Sequence, residues 1–110
     1  MLRNLSIIIM ILLCLSCKEE KNFSASEWKN WVESEANPNS RWLMQDDLLN
    51  KHDLKNYDKE KIINLLGKPN SDNNNEYHYF LGTTGKGINT GTLIIRFENE
   101  SAVEINIIQG

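Results

Sequence analysis

Residues 76–107 read EYHYFLGTTGKGINTGTLIIRFENESAVEINI, and most of this stretch changes face with a period of two. Successive side chains of a strand point to opposite faces, so Tyr77, Tyr79 and Leu81, alternating with His78 and Phe80, predict a strand with one aromatic face. Residues 92–97 (TLIIRF) are rich in β-branched and aromatic side chains and predict a second strand. Asn99-Glu100-Ser101 makes a short turn, after which Val103, Ile105 and Ile107 alternate with Glu104 and Asn106 in a third strand. Residues 82–91 (GTTGKGINTG) form the longer connection, whose glycines at 82, 85, 87 and 91 predict a mobile loop. The stretch therefore predicts a three-stranded antiparallel meander.

Upstream the period changes from two to that of a helix. Residues 70–75 (NSDNNN) read as a polar loop. Before them, Asp58 is an N-cap whose carboxylate can accept from the free N–H groups of a first turn. Ile62, Ile63, Leu65 and Leu66 supply the apolar face of this helix, Gly67 suits a left-handed C′ position, and Pro69 prevents continuation. A helix further upstream is expected to be capped by Ser40, with Trp42, Leu43, Met44, Leu48 and Leu49 as its apolar positions and Asp46 and Asp47 facing water. A first helix begins near Ser24 or Ser26, where Ser24-Ala25-Ser26-Glu27 has the spacing of a capping box. It places Trp28, Trp31 and Val32 on one face and is stopped by Asn37-Pro38-Asn39. Three tryptophans within residues 28–42 supply either a core anchor or an aromatic patch for a partner. The expected fold class is α+β: N-terminal helices on a three-stranded antiparallel meander, in a single domain spanning residues 26–110.

The amino terminus follows a different logic. Residues 5–15 (LSIIIMILLCL) are almost wholly apolar and follow a single basic residue, Arg3. A membrane-spanning helix needs roughly 20 apolar residues, and this run is shorter, which suits the apolar region of a secretory signal. Ser16 then places a small side chain directly before Cys17, and charged residues follow at once. The expectation is cleavage between Ser16 and Cys17, lipidation of Cys17, and a tether over residues 17–25 that holds the domain to a bacterial membrane. Cys14 stands where a lipobox usually has leucine. Lys18-Glu19-Glu20 resembles the surface-export signal of Bacteroidota lipoproteins, and it equally suits a solvated tether. With Cys17 modified and Cys14 removed, the mature chain has no free thiol for disulfide, catalytic or metal chemistry.

Composition narrows the partners. The chain has 110 residues and a net charge of −3, and removal of residues 1–16 takes away only the positive charge of Arg3. A mildly acidic chain without a basic run argues against nucleic acid, whose phosphates demand clustered Lys and Arg. Gly85-Lys86-Gly87 invites a phosphate-loop reading, but no Ser or Thr follows the lysine and no helix opens there. His52 and His78 are the only histidines and lack metal-ligand spacing. Asp46 and Asp47 are adjacent, so on a helix they diverge and form no carboxylate dyad, and no G-x-S-x-G elbow marks a nucleophile. The chain is expected to be no enzyme and to need no cofactor, metal or small-molecule substrate.

Several short motifs occur in a suggestive order. Arg41, Met44 and Asp47-Leu48-Leu49 come first, then residues 58–69 (DKEKIINLLGKP), then Tyr79-Phe80-Leu81-Gly82, and last residues 93–98 (LIIRFE) with Ala102-Val103. This set, behind a lipoprotein signal and covering roughly residues 40–108, resembles the SmpA/OmlA family of small outer-membrane lipoproteins, which includes BamE. The resemblance implies two helices packed on a three-stranded sheet, an outer-membrane location on the periplasmic side or the cell surface, and an envelope protein as partner. The helix expected at residues 26–36 precedes the part that matches, and a basic lipid-contacting surface is not evident. The reading is a non-catalytic, lipid-anchored protein-binding module. An inhibitor or immunity-type lipoprotein that blocks a secreted enzyme is the alternative. Candidate contact residues are Trp28 and Trp31 together with Thr83, Thr84, Lys86 and Asn89 of the glycine-rich loop.

Overall fold

A computed structural model describes residues 20–73 and 75–110. The signal segment, Ser16 and Cys17 lie outside the described residues. The fold is α+β, with three short helices and a four-stranded antiparallel sheet. The helices are α1 (Ala25–Asn30), α2 (Ser40–Lys51) and α3 (Lys59–Leu66). The strands are β1 (Ser71–Asn73), β2 (Glu76–Thr83), β3 (Thr90–Glu98) and β4 (Ser101–Gln109), in the order β1-β2-β3-β4.

The sheet has one strand more than the alternation predicts. Ser71, Asp72 and Asn73 pair with His78, Tyr77 and Glu76, although all three side chains are exposed. Hydrophobic patterning cannot reveal such a strand, because its side chains are polar and exposed. A short, polar strand is also a usual way to finish a sheet edge. Asn70 extends this pairing: its N–H donates to the His78 carbonyl at 2.8 Å, and its Oδ1 accepts from the Phe80 N–H at 2.8 Å.

The predicted alternation of β2 holds, with Tyr77, Tyr79 and Leu81 buried on one face. Leu93, Ile95 and Phe97 of β3 join them. In β4 the expected alternation holds from Val103 to Ile107, with Glu104 and Asn106 exposed and Ile105 and Ile107 packed against the core, and a bulge opens the strand. A register shift beside Arg96 and Phe97 pairs Phe97 with Ala102 while Arg96 pairs with Glu104. Ala102 is therefore the buried residue there, and Val103 is the extra residue of a bulge.

The helices cover the aromatic face. Met44 and Leu48 of α2 and Ile62 and Leu66 of α3 are fully buried against it, together with Trp28 of α1 and Leu54 of the α2–α3 connection. Asp58 caps α3 as expected, its Oδ1 accepting from the Lys61 N–H at 2.8 Å. Gly67 ends the helix at φ +79°, ψ −170°, an extended region restricted to glycine and distinct from the left-handed helical one. There its carbonyl accepts from the Tyr79 hydroxyl at 2.8 Å. Burial pushes that hydroxyl's pKa up, so it stays protonated and donating.

Three boundaries differ from expectation. Folded contacts begin before residue 26: the Lys21 N–H donates to the Leu43 carbonyl at 3.0 Å, and the Phe23 ring lies edge-on to Trp28. The Phe23 N–H donates to Asp47 Oδ2 at 2.6 Å, so Asp47 does not merely face water. This bond, with Lys51 at 3.0 Å, holds the Asp47 carboxyl below its ordinary pKa. Helix α1 also ends early, at Asn30, and Trp31 leaves it in an extended conformation. The periodic spacing of Trp28, Trp31 and Val32 is thus not one helical face: Trp28 is buried and Val32 is exposed. Ser40 is the first residue of α2, not its cap, and its hydroxyl bonds the Asn37 side chain.

Candidate functional site

The segment from Trp31 to Arg41 wraps the outer edge of β2 beyond the reach of β1. Its first fixed point is Trp31, whose Nε1 donates to the Asn37 carbonyl at 2.9 Å and whose ring stacks on Phe80 with centroids 6.1 Å apart. Phe80 alternates with the buried Tyr79 and Leu81, so it stands on the sheet face that the helices leave uncovered.

The second fixed point is Gly82. It sits at φ +88°, and a Cβ there would lie 2.2 Å from the Pro38 carbonyl oxygen and 2.9 Å from the Asn39 Cα. Only glycine satisfies both the backbone angle and the close approach. Asn39 then donates from Nδ2 to the Thr83 carbonyl at 3.1 Å. A similar approach occurs one strand away, where a Cβ on Gly91 would lie 2.6 Å from the Trp42 ring. Gly82 and Gly91 are paired strand residues. The connecting loop is therefore residues 84–89, shorter than the expected mobile loop of 82–91.

Arg41 pins the arrangement from inside. Its side chain is buried, only 7% of the residue being exposed. Nε donates to the Trp28 carbonyl at 3.0 Å, and Nη1 donates to Asn70 Oδ1 and the Phe80 carbonyl, each at 3.2 Å. The guanidinium carbon also lies 5.3 Å from the ring centres of both Trp28 and Trp31. Among the described residues no carboxylate pairs with it. Carbonyl oxygens and aromatic faces compensate the buried charge, and burial lowers its pKa.

These contacts sort the six candidate contact residues. Trp28 is 0% exposed and packs against Phe23 and Tyr79, so it is a core residue and not a partner contact. Its large apolar area makes the interior its natural place, and its indole Nε1 has no hydrogen-bond partner among the described residues. Trp31 is half-buried and accessible. The strap carries it, through Asn37, Pro38 and Asn39, to the same edge as Thr83. Thr84 and Asn89 close the hairpin, the Thr84 N–H donating to the Asn89 carbonyl at 3.0 Å, and Lys86 lies exposed at its tip. Trp31, Phe80 and Thr83 thus form a ridge leading to a loop that holds Thr84, Lys86 and Asn89. Arg41 and Asn70 carry no alternation signal for this role, and the alternation of β2 puts Phe80 on the outer face without marking it as a contact. In the sequence Arg41 is marked only by a short resembling motif.

Most titratable groups nearby are engaged in structural bonds. His78 Nε2 lies 2.9 Å from Glu76 Oε1, and His52 Nδ1 lies 3.4 Å from the Tyr57 hydroxyl. Among the described residues, no group of three His, Cys, Asp or Glu side chains is placed to hold a metal ion. None of the described helices is long and apolar enough to cross a membrane. Comparison with protein-family models, curated proteins and solved structures finds no match for this chain.

Proposed function

We propose that the chain is a bacterial envelope lipoprotein, anchored through acylated Cys17, whose folded domain binds another envelope protein without catalysing a reaction. The observation that carries this reading is the Ser16-Cys17 junction, where the short apolar run of residues 5–15 gives way to Lys18-Glu19-Glu20. Its length suits a cleaved signal, and a cysteine placed there suits a lipid attachment point. The outer membrane is the proposed destination, in keeping with the resemblance to SmpA/OmlA lipoproteins in motif order.

The geometry supports binding over catalysis. Asp47, His78 and Tyr79 are each held by a structural partner, whereas the Trp31–Phe80 stack is rigidly supported and accessible. Rigid, amphipathic aromatic side chains lose little conformational entropy on association and commonly anchor interfaces. The contact ridge is assigned to Trp31, Phe80 and Thr83. Its test is site-specific photocrosslinking in cells from position 80, with position 100 at the other end of the sheet as control. A discrete protein adduct from 80 that is absent from 100 is expected. Equal, diffuse labelling from both positions overturns the assignment.

A further inference from the structure

The geometry points to the tip of the β2–β3 hairpin as a membrane-contact element, seated in the headgroup layer of the bilayer that carries the Cys17 lipid. This rests on the lipid-anchor reading above. It assigns the tip to lipid and leaves the Trp31–Phe80 ridge to protein.

Ile88 is 99% exposed, the most exposed of the large apolar side chains named in the described residues. It is not the residue of a loose coil. The hairpin is closed by the bond from the Thr84 N–H to the Asn89 carbonyl, and the Asn89 N–H donates to the Lys86 carbonyl at 3.3 Å. Gly85 at φ +84° and Gly87 at φ +64° supply the tight turn, and neither has a neighbouring atom within reach of a Cβ. The fold therefore holds Ile88 away from the core, with the ammonium-bearing Lys86 two residues before it. An aliphatic group beside a long cationic side chain suits the boundary between acyl chains and lipid phosphates.

The second observation is where the anchor must lie. Glu20 lines the same cleft as Thr84 and Lys86, with Trp42, Leu43 and Asp46. The bond between the Lys21 N–H and the Leu43 carbonyl fixes the chain beside it. Three residue steps separate Glu20 from Cys17, and an extended chain covers at most about 10 Å in that span. A lipid on Cys17 thus enters the bilayer from the end of the domain that carries the hairpin tip. Ile108, paired with Thr92 near that end of the sheet, is 52% exposed and adds apolar surface.

One isoleucine is too little to hold a protein on a membrane, because it buries far less apolar surface than the acyl chains of a lipid anchor. The tip orients a domain that the lipid attaches. It turns a swivelling tether into a defined pose, which sets the face offered to a partner.

The test uses the full-length, lipidated protein carrying Ile88→Cys. With Cys17 acylated and Cys14 removed, the introduced thiol is the only free one and takes an environment-sensitive fluorophore. The labelled protein is reconstituted into phosphatidylethanolamine/phosphatidylglycerol vesicles containing a doxyl-labelled quencher lipid, with Glu100→Cys at the opposite end of the sheet as control. The expected result is a blue-shifted, strongly quenched signal from position 88 and neither effect at position 100. Equal, unquenched signals from both positions, with the protein still floating with the vesicles, overturn the inference and leave the anchor standing. A Cys17 thiol that is free to react, with no flotation, overturns the anchor reading itself. Shielding of position 88 in native membranes but not in these vesicles identifies a protein contact and also overturns the inference.

Discussion

Arg41 Nε donates to the main-chain carbonyl of Trp28 at 3.0 Å, while its guanidinium carbon lies 5.3 Å from the centre of the Trp28 ring. One buried cation thus binds the end of α1 through both a carbonyl and an aromatic face. Through Asn70 and the Phe80 carbonyl it binds the edge of β2 as well. Replacing Arg41 with methionine keeps a long side chain but takes the guanidinium donor from the Trp28 and Phe80 carbonyls, while the exposed Asn70 Oδ1 keeps the Phe80 N–H. Buried groups left unpaired cost about 1–3 kcal/mol each, and partial relaxation brings the expected loss to roughly 2–4 kcal/mol. Urea unfolding measures it. Arg41→Lys is expected to recover only part, since an ammonium lacks the planar fork that reaches separate acceptors.

Trp28 packs as a core residue while its indole N–H finds no partner among the described residues. Trp28→Phe, which removes that N–H, is expected to be much milder than Trp28→Ala, which opens a cavity and costs about 3–5 kcal/mol. Denaturation midpoints of the two variants check the ranking. Equal losses would mean that the indole N–H has a partner.

Gly82 and Gly91 are both crowded, by different neighbours. A methyl at 91 meets the Trp42 ring, whereas a methyl at 82 meets the main chain of Pro38 and Asn39 at a backbone angle hostile to other residues. Gly91→Ala is therefore expected to be destabilising in the native background and nearly tolerated beside Trp42→Leu. Gly82→Ala is expected to remain costly in both. A double-mutant cycle reads the difference, with a coupling on the order of 1 kcal/mol or more for the 91–42 pair.

The Asp47 carboxylate ties the N-terminal segment to α2 through the Phe23 N–H and Lys51. Its pKa is depressed below the ordinary 3.8 by the Phe23 N–H first and the Lys51 hydrogen bond second. A carboxyl whose pKa is lower in the folded state stabilises the fold at pH values above 3.8, and the contribution is lost as pH falls through the folded value. The stability difference between the native protein and Asp47→Asn is expected to be full at pH 6 and to shrink as the pH drops below about 4. A difference constant down to pH 2 contradicts the role.

Much of this architecture is legible in the amino-acid order. The strands within residues 76–107 declare themselves because one face is buried and alternation is its direct consequence. Helix α3 is bracketed by Asp58 and Gly67, whose backbone chemistry is local. What the order hides depends on distant partners. β1 consists of Ser71, Asp72 and Asn73, whose polar, exposed side chains leave no patterning signal for the strand they pair into. Trp31 has helical spacing from Trp28 but leaves the helix to stack on Phe80, a residue 49 positions away. The bulge that exchanges Val103 for Ala102 has no composition signal. Trp28 and Trp31 are equally aromatic in the chain, and only the fold separates the core residue from the accessible one.

The central claim is that Cys17 anchors this domain, and mass spectrometry of the N-terminal peptide from membrane-extracted protein tests it most directly. The expected peptide begins at Cys17 and carries the added mass of a diacylglyceryl group on its thiol. A peptide that retains residues 1–16, or one that begins at Cys17 without lipid, contradicts it.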